Sequence, residues 1–160
     1  MNKYCSIVKS PIGEVIIIAN ETAVNEITFG KRETDGLEEN SMSKLAAEQL
    51  KQYFEGTLTV FTFPMSQTGT EFQKEVWQNL LQIPYGETTS YAKFSAHKPL
   101  AIRAIAAANG KNNIAIVVPC HRVIGSDGKL VGYAGELWRK KWLLQHEIEV
   151  AQRGQTELKF

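Results

Sequence analysis

Cysteine is scarce: only Cys5 and Cys120 occur in the 160 residues. A pair so far apart does not read as a disulfide framework, so each thiol needs its own explanation. Histidine is as sparse. His97, His121 and His146 complete the soft ligands, no C-x-x-C or H-x-x-x-H spacing occurs, and no structural metal is expected. Long apolar runs are also missing, since Val15 to Ala19 and Ile114 to Val118 fall far short of the roughly 20 residues that span a bilayer. The opening MNKYCSIVKSP lacks the apolar stretch of a secretory signal, so a cytoplasmic, reducing compartment without membrane attachment is the expectation. Pro and Gly number only 5 and 12, which excludes fibrous and low-complexity chains. What remains is ordinary globular composition, 43% hydrophobic and 22% charged, with length for one domain or two small ones.

Charge is nearly balanced at +1 but unevenly spread. Residues 1–68 hold 6 Lys/Arg against 9 Asp/Glu, net −3, and residues 69–160 hold 12 against 8, net +4. Only the second half favours a polyanion, and weakly.

The first half reads as short strands and a helix. Tyr4 to Val8, Glu14 to Ala19 and Val24 to Phe29 are rich in β-branched residues, with Pro11-Ile12-Gly13 and Asn20-Glu21-Thr22 as turns between them. An antiparallel meander is the simplest arrangement. Met42, Leu45, Ala46, Leu50, Tyr53 and Phe54 recur at helical spacing before Gly56, and Val60, Phe61 and Phe63 suggest a last strand. Nothing in residues 1–66 gathers reactive groups, so this part is expected to be structural.

Gln67-Thr68-Gly69 makes the expected linker. Beyond it, Thr70 and Gln73 form a capping-box pattern ahead of the stripe Phe72, Val76, Trp77, Leu80 and Leu81. A short helix is expected from Ser90-Tyr91 to about His97, and another from Pro99 with Gly110 past its end. Two short helices joined by a tight turn suggest a helix-turn-helix. The second carries Ala101, Ala104 and Ala108 at i, i+3 and i+7, with Arg103 its only charge. Such a face serves either close packing or entry into a narrow groove, and it lacks the polar side chains of a sequence-specific major-groove reader.

The chemistry concentrates in Asn112 to Gly125. A buried strand is expected to end at Pro119, with Cys120 opening a short helix. A lone cysteine there is more often inert core than nucleophile. A helix N-terminus together with His121 and Arg122 would instead lower the thiol pKa. Neighbours on a helix do not face each other, so a bridging water suits Cys120 and His121 better than direct contact. Thr88-Thr89-Ser90-Tyr91 before this segment and Trp142-Leu143-Leu144-Gln145-His146-Glu147 after it complete three blocks.

Pro119-Cys120-His121-Arg122-Val123-Ile124, with Tyr85-Gly86-Glu87-Thr88-Thr89-Ser90-Tyr91 and Trp142 to Glu147 in that order, resembles the O6-alkylguanine-DNA alkyltransferase family over residues 70–150. The resemblance implies direct repair: Cys120 takes the alkyl group from guanine O6 once and irreversibly, without a cofactor, in duplex DNA containing alkylated bases. It implies His121 as base through water, Glu147 as its orienting acid and Asn112 as the tie to the active-site turn. It also implies that Tyr91 crowds a phosphate and donates a proton, that Tyr133 closes on the flipped base, and that the Val123 carbonyl and Ala134 amide read guanine edges. Arg103 fills the vacated stack, Ala104 lies with it on the groove-entering helix, and Gln73 and Ser126 touch the DNA backbone. Asn113 stands where many relatives have proline, and Ile102 is bulkier than the usual residue. Acceptance of O4-methylthymine and a monomeric state are further expectations.

The fold class expected from all this is α+β. A small N-terminal α/β lobe, an antiparallel sheet plus helix over residues 1–68, precedes a mostly helical C-terminal domain over 69–160 with a winged-helix-like helix-turn-helix. Two rival readings stand beside the repair reading: a thiol hydrolase or acyltransferase using Cys120 and His121, and a non-catalytic helix-turn-helix DNA binder. His146 stands beside Glu147 as a competing partner for acid-base work.

Overall fold

A computed structural model of the chain describes residues 2–30, 34–125, 128, 133 and 136–158. The chain divides into two compact units, Met1–Thr68 with Asn113–Ala115, and Gly69–Asn112 with Ile116–Phe160.

In the first unit, β1 (Tyr4–Ser10), β2 (Gly13–Ala19) and β3 (Val24–Phe29) form the antiparallel meander that the β-branched stretches predict. Asn20 builds the second turn by accepting, through Oδ1, the N–H groups of Thr22 and Ala23, both at 2.9 Å. Helix α1 (Ser41–Glu55) packs on β1 and β2. Asn40 and Ser43 cap it reciprocally, and Gly56 ends it at φ 81, a left-handed conformation that only glycine adopts without strain. Val15 to Ala19 are all buried, and Ile16, Ile18 and Cys5 cluster under Leu37. A strand covered on both sides has no solvent face to alternate with, which is why β2 reads as one apolar run.

The strand expected around Val60 to Phe63 does not form. Gln49 takes its place as a pairing partner, accepting from the Thr62 N–H at 3.0 Å and donating to Thr62 Oγ1 at 2.6 Å. Phe61 lies against Tyr53 and Phe63, while Val60 is exposed. Backbone satisfaction by a side chain removed the need for a ladder. β3 instead receives two isolated parallel bridges, Val24 to Met65 and Ile27 to Ile114.

The second unit begins with α2 (Glu71–Leu80), capped by Thr70 and Gln73 as the capping-box pattern predicts. β4 (Thr89–Ser90) leads directly into α3 (Tyr91–Phe94), which stops three residues short of the expected His97. A 3₁₀ turn, Pro99–Ala101, precedes α4 (Ile102–Gly110), so Gly110 closes the helix instead of following it. Val76 of α2 packs with Ile105 and Ala108 of α4, ringed by Phe72, Phe94 and Ala101. Trp77 Nε1 fixes the crossing by donating to the Ala108 carbonyl at 2.9 Å. The alanine face therefore splits: Ala108 is core, whereas Ala104 is exposed beside Arg103. Thr89 and Ser90 of β4 pair in parallel with Val123 and Ile124 of β5 (Val123–Ile124), and α5 (Leu137–Leu158) closes the unit.

Candidate active site

Of the apolar run Ile114 to Val118 all but the half-buried Ala115 are buried as expected, but the run is not a strand. After the bridge at Ile114 the chain turns, and Ile116 sits at φ 70. A β-branched residue in the left-handed region costs on the order of 1–3 kcal/mol and persists only where its surroundings fix it. Ile116 is fully buried, and the Val118 carbonyl beyond it accepts from Asn112 Nδ2 at 3.0 Å and from the Cys120 N–H at 2.8 Å. Asn112 thus ties the end of α4 to the turn that presents Cys120. Pro119 then leads into a 3₁₀ turn, Cys120–Arg122, in which all three side chains are buried.

His121 and Arg122 both turn toward Glu147 of α5. His121 Nε2 lies 2.8 Å from Glu147 Oε2. Arg122 donates from Nε to Oε1 at 2.8 Å and from Nη2 to Oε2 at 3.1 Å, while its Nη1 donates to the Ile83 carbonyl at 2.7 Å. The Gly86 N–H reaches Oε1 at 3.4 Å. Gly86 is at φ 79, and a Cβ there would lie 2.9 Å from Ala151 Cβ, so conformation and space both demand glycine in this turn. Although burial opposes ionisation, these donors hold the Glu147 carboxyl well below the usual carboxylate range. A carboxylate only accepts, so the proton between it and His121 belongs to Nε2. Burial also holds the imidazole below its ordinary pKa, hence neutral at neutral pH. Nδ1 is then a buried lone pair, and it has no hydrogen-bond partner among the described residues.

Cys120 departs from expectation. Burial pushes its thiol up, and the groups that oppose this are Asn112, Lys140 and the backbone N–H groups of Cys120 and His121. The His121 and Arg122 side chains do not supply that field, because Glu147 engages them. Lys140, absent from the sequence reading, is fully buried and donates to the Val123 carbonyl at 2.7 Å, the same carbonyl expected to read guanine. A carbonyl oxygen has two lone pairs, so the two roles are compatible. Lys140, Leu143 and Glu147 follow i, i+3 and i+7, a helical signal that was available in the sequence. The aromatic residues obscured it: Trp138 is half exposed, Trp142 and Leu144 are half-buried, and Leu143 is the buried apolar residue of that turn. His146 stacks on Trp142 with ring centres 4.7 Å apart, which removes it as the rival to Glu147.

The charge of Cys120 also raises the pKa of Tyr91 and of Tyr133, after burial as the larger cause in each. Both phenols therefore sit in the electrostatic environment of the thiol and keep their protons at neutral pH. Gln73 spends its side-chain oxygen on the Thr70 N–H at 2.9 Å, in the capping box. Arg103 and Ala104 are exposed on α4. Ser126 and Ala134 lie outside the described residues. Among the described residues no cluster of His, Cys, Asp and Glu could hold a metal.

Residues 3–67 match the ribonuclease-like domain, and residues 71–149 the DNA binding domain, of the 6-O-methylguanine DNA methyltransferase family. The chain belongs to that family. A methylated-DNA–protein-cysteine methyltransferase of Methanosarcina barkeri is 45% identical over 152 residues, covering 90% of this chain and 96% of the relative. The Mycobacterium leprae protein of the same name is 44% identical over 151 residues, covering 90% and 92%. Among solved structures, Mycobacterium tuberculosis OGT in complex with DNA superposes with a TM-score of 0.84 at 39% identity, covering 92% of this chain and 94% of that one.

Proposed function

We propose that this protein repairs DNA by moving the alkyl group of O6-methylguanine, and of O4-methylthymine, onto Cys120, and that Gly69–Asn112 with Ile116–Phe160 is the domain that does so. The observation that carries the reading is the buried His121, its Nε2 bonded to Glu147 and its Nδ1 lone pair unclaimed. A neutral imidazole with that tautomer is a base. It takes the Cys120 proton through a water, and Glu147 stabilises the imidazolium that forms. Burial, which raises the thiol pKa, also leaves the thiolate poorly solvated and reactive once made. The sulfur attacks the alkyl carbon, the carbon–O6 bond breaks with its electron pair on the guanine, and the base takes up a proton.

In a duplex, O6 is inside the stack, so the nucleotide must leave it at a cost of a few kcal/mol. Arg103, with Ala104 beside it on α4, fills the gap from the minor groove, and Gln73 and Ser126 touch the backbone. Tyr133, the Val123 carbonyl and the Ala134 amide hold the extruded base, and Tyr91 supplies the proton. The product is a thioether. It has no carbonyl for water to attack, so each molecule acts once, as a monomer and without a cofactor.

A duplex carrying one O6-methylguanine with a labelled methyl group tests this. About one methyl per protein molecule should appear on Cys120 and none on Cys5, read by peptide mass. Label on Cys5, or several methyls removed per molecule, would overturn the reading and favour a thiol hydrolase-like turnover.

A further inference from the structure

Asn109 is a buried amide on α4 that the reaction as described does not use. Its Nδ2 donates to Tyr91 Oη at 2.6 Å, while its Oδ1 is buried with no hydrogen-bond partner among the described residues. A buried acceptor left without a partner is destabilising, so a buried amide kept in this orientation calls for an explanation. The amide has two ways to meet a phenol. With Nδ2 toward Tyr91 it fills an oxygen lone pair and leaves the phenolic hydrogen to point elsewhere. With Oδ1 toward Tyr91 it captures that hydrogen.

We propose that Asn109 is a positioning residue that occupies the Tyr91 oxygen from behind, so that the phenolic O–H is aimed at the departing base and its loss is eased. This rests on the reading of Tyr91 as proton donor. As the sulfur–carbon bond forms and the carbon–O6 bond breaks, the electron pair passes to the guanine. Tyr91 gives the guanine its proton, and the tyrosinate is stabilised by the Asn109 N–H until it recovers a proton from water. The proton taken from the Cys120 thiol leaves from the His121 imidazolium, so the sum is thiol plus alkylguanine giving thioether plus guanine. Burial raises the Tyr91 pKa and the Asn109 bond opposes that rise, the sense that a better acid requires. The amide sits on the same helix as Arg103, which links the element that enters DNA to the acid that completes transfer.

The test uses two electrophiles on each full-length variant: duplex O6-methylguanine, whose leaving group needs a proton, and iodoacetamide, whose iodide does not. The ratio of the two Cys120 rates cancels differences in active fraction. Asn109→Leu should lower that ratio by about 10-fold, part of the 100-fold or more that a positioned acid contributes. Asn109→Asp should lower it further, because its carboxylate accepts the Tyr91 hydrogen and turns the donor away. A structural role predicts the opposite order, since Asp is the closer fit. In a Tyr91→Phe background both substitutions should have no added effect on the ratio. If the Asp variant does not fold, the Leu variant with and without Tyr91→Phe decides alone. Additive losses, or a ratio unchanged by Asn109→Leu while Tyr91→Phe lowers it, would overturn the assignment. A ratio unchanged by Tyr91→Phe itself would instead remove Tyr91 as the donor and the assignment with it.

Discussion

Glu147 serves two donors, and only one of them is offered a chemical role. Arg122 binds both carboxylate oxygens, and His121 shares one of them. The arginine fixes the carboxylate in place, and the fixed carboxylate fixes the imidazole, so the tautomer of His121 is inherited from Arg122. Replacing Glu147 by Gln keeps the volume but leaves a buried guanidinium without its counter-charge. Removing one partner of a buried pair costs about 3–5 kcal/mol, so Glu147→Gln should lose stability of that order in urea denaturation. It should also slow transfer to Cys120 beyond what its folded fraction accounts for. A variant as stable as the parent would mean that water, not Glu147, neutralises Arg122.

At the scale of elements, α4 divides its labour by face. Ile105, Ala108 and Asn109 are buried, and Ile102, Arg103 and Ala104 are exposed. Arg103→Ala should leave the packing of α4 on α2 intact and slow repair of duplex O6-methylguanine much more than reaction with free O6-benzylguanine. The free base needs no unstacking, so the difference should be on the order of the few kcal/mol that extrusion costs. Equal slowing of both reactions would mean that Arg103 supports the pocket. The same element-by-element view tells what was legible in the sequence. The meander, α1, α2 and its capping box, and the helix-turn-helix were, because period and caps are local signals. The run Ile114 to Val118 was legible as buried but not as a turn, since apolar composition alone does not distinguish a strand from any other buried segment, and Ile116 at φ 70 contradicts its own β propensity. At the candidate site, Cys120 and His121 stood out from their own segment, and Glu147 came through the family resemblance. Lys140 and Asn109 were not, because a lysine between two other cations and an asparagine near a helix end both read as surface.

For the molecule as a whole, the buried site makes stability depend on pH in one direction. The folded state holds His121 below its ordinary 6.5. As pH falls through that value the unfolded chain takes up a proton that the folded one refuses, so stability present above 6.5 declines on acidification until the depressed folded pKa is passed. Glu147 is depressed too, and adds a second loss once pH drops below its ordinary 4.5. Melting temperature should therefore fall from pH 7 to pH 5, and His121→Gln, which can still donate to Glu147, should flatten that part of the profile. A parent protein whose melting temperature is level across this window would show that His121 takes up its proton as readily in the fold as in the unfolded chain.

The bridge between Ile27 and Ile114 sets a rule for exchanging parts between relatives. Asn113–Ala115 belongs to the first unit, although 44 residues of the second, Gly69–Asn112, precede it in the chain. Backbone bonds from Ile27 N–H to the Asn113 carbonyl, and from Ala115 N–H to the Ile27 carbonyl, sew it there at 2.8 and 2.9 Å. A recombination crossover at residue 68 therefore transplants a sheet without one of its partners. Backbone bonding tolerates that, but the side chains around Ile114 would then come from a different parent than those around Ile27. Inheritance of a functional hybrid is thus governed by three residues that no linear boundary would assign to the transplanted module.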